Sequence, residues 1–306
     1  MNAEHGSQET ILPISDMLCI LSERIMASGK PVMVVSDLDE TLANTYVFDE
    51  KTNTHVPQFR PELVAAAAQL PRPLILATAR PMNDPTVLHA WEQISGKFSP
   101  VVVENGGVIF HPQKSTFIQM TIGDMETFFQ INPHADPKSL GELRALLPEH
   151  IDMLRECGII SDNQEVNIDV NRKTSIEIRI QDKKTKEGSP DTHKQVAMVF
   201  QNLVTDHKLQ AITTGSSVSI HAPAICKGDA VMQALFKTSP LQKIHWERND
   251  VFLITLGDNE NDASLFQIAD LSIGVSRHTL GLSNITCSGG ELVALAALQK
   301  IVEVAK

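Results

Sequence analysis

In the stretch 31-PVMVVSDLDETLANTY-46, an apolar run of the kind that fills a buried strand stops in three acids within four residues, Asp37, Asp39 and Glu40, with Thr41 directly behind them. Clustered carboxylates repel one another, so a chain that sets them at the mouth of a buried strand needs something to offset that repulsion. In a strand, residues two apart point to the same side, so Asp37 and Asp39 face one site if the extended geometry persists past Ser36.

Four further apolar runs have the same character: 73-PLILATA-79, 101-VVVENG-106, 251-VFLITLG-257 and 271-LSIGV-275. Each is nearly continuous rather than alternating, as expected of parallel strands covered by helices on both faces. Helical spacing appears at 11–30, where Gly and then Pro bound the pattern, and in 61-PELVAAAAQL-70, 228-GDAVMQALF-236 and 291-ELVALAALQKIVEVA-305. Alternating strands and helices predict an α/β fold, a Rossmann-like doubly wound parallel sheet.

The middle of the chain reads differently. In 174-TSIEIRIQ-181, Ile176, Ile178 and Ile180 alternate with Glu177, Arg179 and Gln181, and 165-EVNIDVN-171 alternates in the same way, with 171-NRKT-174 between them as a turn. Helical patterns occur at 138-KSLGELRALL-147 and 193-HKQVAMVFQNLV-204. A half-exposed antiparallel sheet with a helical layer predicts an α+β domain inserted into the first. The expected division is 1–111 and 223–306 for the core and 112–222 for the insert. Glu177, Arg179, Asn167, Asp169, Ser219 and His221 share the polar face of that sheet, which either roofs a site or meets water.

Ligands of open α/β sheets bind beyond the carboxyl ends of the strands. Four strand ends here deliver polar groups to one rim: Asp37 and Asp39; Thr78 and Arg80; Glu104 and Asn105; Asp258 and Asp262. Taken singly, each has an ordinary reading as a cap, a turn or a solvated side chain, and their convergence is what points to a site. Lys227 adds to it. It opens a predicted helix, where the positive end of the dipole disfavours a cation by roughly 0.3–1 kcal/mol.

The 306 residues carry 26 Lys and Arg against 37 Asp and Glu, a formal charge of −11. That balance argues against nucleic-acid binding, which needs basic stripes, and 5% aromatic residues offer few stacking platforms. No apolar run is long enough for a membrane span, and the N-terminus lacks the pattern of a signal peptide, so the expectation is a soluble, cytoplasmic protein. Cys19, Cys157, Cys226 and Cys287 are widely spaced and form no CxxC pair, which fits structural thiols.

In their order along the chain, DLDET, LILAT, the isolated lysine of 225-ICKGDAV-231 and GDNENDASLF resemble the four motifs of the haloacid dehalogenase superfamily of phosphatases. The ENGG after the third strand, followed by a large insert, is similar to the Cof-like and sugar-phosphate phosphatase branch. The resemblance implies a core with an inserted α/β cap and a Mg²⁺-dependent phosphomonoester hydrolase that works through an aspartyl-phosphate. It also implies a small phosphorylated substrate, such as those of sucrose-, trehalose- or mannosylglycerate-type phosphatases.

The same resemblance implies the residue roles. Asp37 is the nucleophile and a metal ligand, Asp258 a second carboxylate ligand, and Asp39 adds its backbone carbonyl to the metal. Asp39 is also the acid and base, with a pKa expected to be raised by the neighbouring acids. Thr78 donates to a phosphoryl oxygen and Lys227 neutralises the phosphoryl group. Arg80, Asn105, Asn261 and Asp262 are phosphate- or substrate-side groups, with Asp262 expected to bond Lys227 or a metal-bound water. Glu177 and Arg179 are candidates for specificity in the cap. Glu40 and Ala79 depart from the pattern where the family often has Gly, which bears on loop shape and substrate preference. A sugar phosphomutase or a non-catalytic phospho-ligand binder are the competing functions.

Overall fold

The computed structural model describes residues 10–50, 54–81, 83–95, 99–110, 129–169, 172–213, 217–236 and 246–305. Helix α1 (Ile14–Ser28) buries Met17, Leu21 and Ile25, four residues apart on one stripe, and precedes β1 (Val32–Ser36). A short antiparallel hairpin, β2 (Tyr46–Asp49) and β3 (Thr54–Pro57), follows, although its alternating pattern went unread in the sequence. Next come α2 (Pro61–Gln69), β4 (Ile75–Ala77), α3 (Pro85–Ala90), β5 (Val101–Val103), β6 (Val108–Phe110) and β7 (Phe129–Ile131).

The middle segment supplies α4 (Pro137–Glu156), β8 (Gln164–Asp169), β9 (Ser175–Asp182), α5 (Pro190–Asp206), β10 (Gln210–Thr213) and β11 (Val218–His221). The chain then returns through α6 (Lys227–Phe236), β12 (Phe252–Gly257), α7 (Ala263–Ile268), β13 (Leu271–Gly274), β14 (Ile285–Thr286) and α8 (Glu291–Val304).

The large sheet has the order β14-β13-β12-β1-β4-β5-β6-β7. From β14 to β5 the neighbours are parallel, and β6 and β7 extend the sheet antiparallel. Alternation along β1 explains its continuous apolar run: Val32 and Val34 join the core beneath α1, α2 and α8, whereas Met33 and Val35 join the core beneath α6 and α7. Fully burying such a side chain stabilises by roughly 1.5–3 kcal/mol, so a strand covered on both faces is apolar along most of its length; its one polar residue, Ser36, comes at the end, where its hydroxyl donates to the Asp37 carbonyl at 2.7 Å. The acids of the first motif sit just past that point.

The second sheet, β10-β11-β9-β8, is antiparallel throughout. Ile176, Ile178, Ile180, Val218 and Ile220 pack with Leu140, Leu143, Val196 and Phe200 of α4 and α5, forming a separate core. Helix α4 outruns its expected end at residue 147 and continues through Pro148 to Glu156. An internal proline costs about 3 kcal/mol; burial of Leu147 and Leu154 on either side of it works against that cost. The expected boundary at residue 112 lies outside the described residues, and β7, which follows it, still pairs with β6 in the large sheet.

The two units meet where the loop after β5 receives the turn between β8 and β9. The buried Glu104 carboxylate accepts hydrogen bonds from the Lys173 N–H (3.0 Å), the Thr174 N–H (2.7 Å) and the Thr174 hydroxyl (2.7 Å). Gly106 has φ +100°, and a Cβ there would lie 2.1 Å from the Cys226 carbonyl oxygen; one on Gly107 would lie 1.7 Å from Thr174 Oγ1. Gly107 itself has an ordinary helical φ of −70°, so its side chain is excluded by packing alone. Gly107→Ala should therefore destabilise the protein by about 1–3 kcal/mol, read as a lower urea midpoint; an unchanged midpoint would contradict this docking.

Candidate active site

Asp37 continues the line of β1, its N–H donating to the Leu256 carbonyl of β12 at 3.0 Å. Asp258 follows β12 directly, and Asp262 closes the short 3-10 turn Glu260–Asp262. Parallel pairing of Ser36 with Leu256 brings these strand ends side by side. Lys227, the first residue of α6, reaches in from a helix packed on the large sheet, with only 1% of its surface exposed. Its Nζ donates to Asp37 Oδ1 at 2.6 Å and to Asp262 Oδ1 at 2.7 Å. The other Asp262 oxygen accepts the N–H groups of Asp258 (3.0 Å) and Asn259 (3.3 Å), so Asp262 holds both the turn and the lysine. Thr41, for which no role was read in the sequence, donates to Asp258 Oδ1 at 3.2 Å.

The electrostatics are those of crowded acids out of water. Burial pushes the Asp37 carboxyl well above the usual range, with Lys227 opposing and Asp262, Asp258 and Asp39 adding to the rise. Burial, then repulsion from Asp262, pushes Asp258 up to about 7. Burial disfavours the Lys227 charge, but Asp262 and Asp37 outweigh it and hold the ammonium above an ordinary lysine. Carboxylate oxygens of Asp37, Asp258 and Asp262 all lie within 4.8 Å of one another. Ionised, the three carry three negative charges against the single ammonium. A divalent cation would supply the remaining two positive charges, and an all-oxygen donor set suits a hard ion such as Mg²⁺.

Asp39 corrects the sequence-based expectation. Burial would raise its pKa, but hydrogen bonding and charge from Arg80 outweigh burial and hold the carboxyl below its ordinary value. Arg80 Nε and Nη2 grip it at 2.9 and 2.7 Å, and the Tyr46 hydroxyl of β2 donates to it. Arg80 Nη1 also bonds Asp84 (2.8 Å) and Thr86 (3.2 Å), so the guanidinium expected on the phosphate side is committed to two carboxylates. Thr78 is buried, and its hydroxyl accepts from the Arg80 N–H at 3.2 Å, leaving its own hydrogen free to donate elsewhere. Asn105, at φ +56°, is anchored by its N–H to the Thr78 carbonyl at 3.2 Å, and its buried side-chain amide has no partner among the described residues. Asn261 lies partly buried in the turn beside Asp262.

In the second sheet the polar face divides. Glu177 is buried, accepting from the Ser217 hydroxyl and lying 3.8 Å from Arg172, while Arg179 is exposed. Tyr46, Glu104 and Arg172 carry contacts that sequence reasoning did not assign. The lone tyrosine on an alternating stretch was the available signal for the first. For Arg172, the turn reading of NRKT hid a buried side chain whose Nη1 donates to the Ala79 carbonyl at 2.6 Å.

The family profile of the haloacid dehalogenase-like hydrolases matches residues 34–285, most of the chain and every motif just described. The chain belongs to that family. Among solved structures, it is similar to the C-terminal domain of C. albicans trehalose-6-phosphate phosphatase at 10% identity and a TM-score of 0.64, covering 97% of this chain and 99% of that one. A haloacid dehalogenase-like hydrolase from Bacteroides thetaiotaomicron superposes at 14% identity and a TM-score of 0.55, with 89% and 100% covered. Aspergillus fumigatus trehalose-6-phosphate phosphatase gives 12%, 0.51, 94% and 97%. Identities this low speak for the fold alone. No match is found among curated protein sequences. Among the described residues, no helix is long and apolar enough to cross a membrane.

If the acids form a divalent-cation site, Mg²⁺ at a hundredfold its Kd should stabilise the protein by about 2.7 kcal/mol, a Tm rise of about 5 °C. Protons compete for Asp258 below its value of about 7, so the rise should shrink at pH 6 relative to pH 8. Asp258→Asn should remove the Mg²⁺ response without lowering the Tm of the metal-free protein, because a repelling charge is gone; an undiminished response in that variant would exclude the site.

Proposed function

We propose that this hydrolase is a Mg²⁺-dependent phosphomonoesterase that uses Asp37 as nucleophile, acting on a sugar phosphate or a related small phosphorylated metabolite. The observation that carries the reading is the buried Lys227 ammonium shared between Asp37 and Asp262, at 2.6 and 2.7 Å. An anionic nucleophile approaching an anionic phosphate at 4 Å meets about 4 kcal/mol of repulsion at an effective dielectric near 20, so the approach needs fixed positive charge. Lys227 supplies part of it, and its burial holds it in place.

Asp37 and Asp258, with the Asp39 carbonyl, are the groups that would hold Mg²⁺. When bound, the ion neutralises the phosphoryl oxygens and orients the phosphate toward Asp37. Asp37 attacks phosphorus as the ester oxygen leaves, giving an aspartyl-phosphate that water then hydrolyses. Thr78 donates its remaining hydroxyl hydrogen to a phosphoryl oxygen. Asp39 protonates the leaving oxygen and later deprotonates the attacking water. For the first task it must exchange Arg80 for the substrate and take up a proton, whereas the Arg80 pair favours the ionised form that the second task needs. The unit built on the second sheet, from α4 to β11, acts as a cap over this rim, excluding water and selecting the substrate. The neighbours named trehalose-6-phosphate phosphatases share the fold, and their named substrate makes a sugar phosphate the first class to test.

Phosphate release from a panel of sugar phosphates and nucleotides, with Mg²⁺ and with chelator, tests the reading. Asp37→Asn should lose at least about 10³-fold in kcat while unfolding cooperatively like the parent. Full phosphate release by that variant would remove the nucleophile assignment, and isomerised ester without free phosphate would mark a mutase instead.

A further inference from the structure

The buried end of the second sheet holds four polar side chains in one block. In the antiparallel register Glu177 opposes Ser219 and Ser175 opposes His221, so all four project from the same face. The opposite face carries Ile176, Ile178, Val218 and Ile220 against α4 and α5, so the four polar groups turn away from their own unit's core. They are nevertheless buried: Ser175 and Ser219 are 0% exposed, His221 3% and Glu177 5%. Ser175 Oγ, Glu177 Oε2, Ser219 Oγ and His221 Nε2 have no hydrogen-bond partner among the described residues. Buried polar atoms are nearly always paired, and each unpaired one weighs against the fold by the desolvation of that group, so four in one block mark a place built for a guest. Arg172 ties the block to the rim of the large sheet, lying 3.8 Å from Glu177 Oε2 and donating to the carbonyl of Ala79, the residue between Thr78 and Arg80. The unpaired amide of Asn105 comes from the same rim.

The chemistry of these atoms is one-sided. A carboxylate oxygen can only accept while ionised. His221 Nδ1 pairs with the Ala222 carbonyl at 2.9 Å, which makes it the N–H nitrogen and leaves Nε2 an acceptor. Burial, which lowers the His221 pKa, favours that neutral form. The two serine hydroxyls serve either role. Arg172, the cation beside them, is engaged by Asp169 at 3.1 Å and by the Ala79 carbonyl. The geometry points to Ser175, Glu177, Ser219 and His221 as the specificity-determining pocket for an uncharged, hydroxyl-rich group on the substrate, one that offers O–H donors and carries no second anion. This rests on the phosphatase reading and narrows it, setting polyol esters above phosphorylated acids and apolar esters.

Binding to the Asp37→Asn protein, measured by isothermal titration with Mg²⁺ present, reads the pocket apart from turnover. Glucose 6-phosphate should bind at least ten-fold more tightly than cyclohexylmethyl phosphate, which has similar bulk and no hydroxyls, and than 3-phosphoglycerate, which brings a second anion. Adding Ser219→Ala should cut the preference over cyclohexylmethyl phosphate at least five-fold, with an unchanged thermal melt showing that the sheet is intact. Equal affinity for the first two esters would overturn the pocket and leave it a site of buried water. A preference that survives both Ser219→Ala and Glu177→Gln, or tighter binding of 3-phosphoglycerate, would overturn it equally. Absence of phosphate release by the unmodified enzyme from every ester would instead overturn the phosphatase reading, while the binding comparison still decides the pocket.

Discussion

A lysine ammonium taken out of water between two carboxylates organises this protein. Desolvating an ion costs several kcal/mol, and the loss is recovered only where opposite charges are held close and their remaining hydrogen bonds are met. Here Asp37 is fixed by the pairing of β1 with β12, and Asp262 by the N–H groups it accepts from its own turn. The lysine is delivered by the first turn of α6, whose next residue, Gly228, packs so closely on the Ser264 carbonyl that an added Cβ would lie 2.2 Å away. The large sheet, the α6–α7 contact and the turn after β12 are therefore conditions for one charged triad. The excess of acids around it is what makes the site hungry for a cation.

The second constraint is the junction between the units. Glu104 accepts three hydrogen bonds from two consecutive residues of the β8–β9 turn, and the glycines that follow it leave no space beyond backbone. Glu104 and Asn105 both adopt left-handed conformations, with φ of 52° and 56°, a strain of roughly 1–2 kcal/mol per residue. The carboxylate's bonds to the turn offset it. The polar face of the second sheet is thereby brought to the rim with its buried end inward and Arg179 outward.

Much of this was legible in the residues. Continuous apolar runs revealed two-faced burial of β1 and β12, and alternation in 174–181 revealed the antiparallel unit. Asp37, Asp258, Asp262 and Lys227 converge as their positions at strand ends and a helix start require. Asp39 was misread because proximity in sequence to other acids says nothing about a guanidinium arriving from residue 80. Hairpin β2–β3 is short and partly exposed, so its apolar signal is faint. Arg172 and Glu104 owe their roles to a contact between units far apart along the chain, which no local pattern encodes. Helix α4 passes through Pro148 because tertiary burial overrode a local breaking signal.

Tyr46 is the chain's single tyrosine, and its hydroxyl rests on the Asp39 carboxylate; burial, and then that neighbouring charge, raise the energy of removing the phenolic proton. A shift of Asp39 away from Arg80 would strip that hydroxyl of its acceptor at the same time, so the phenol and the guanidinium would be released together.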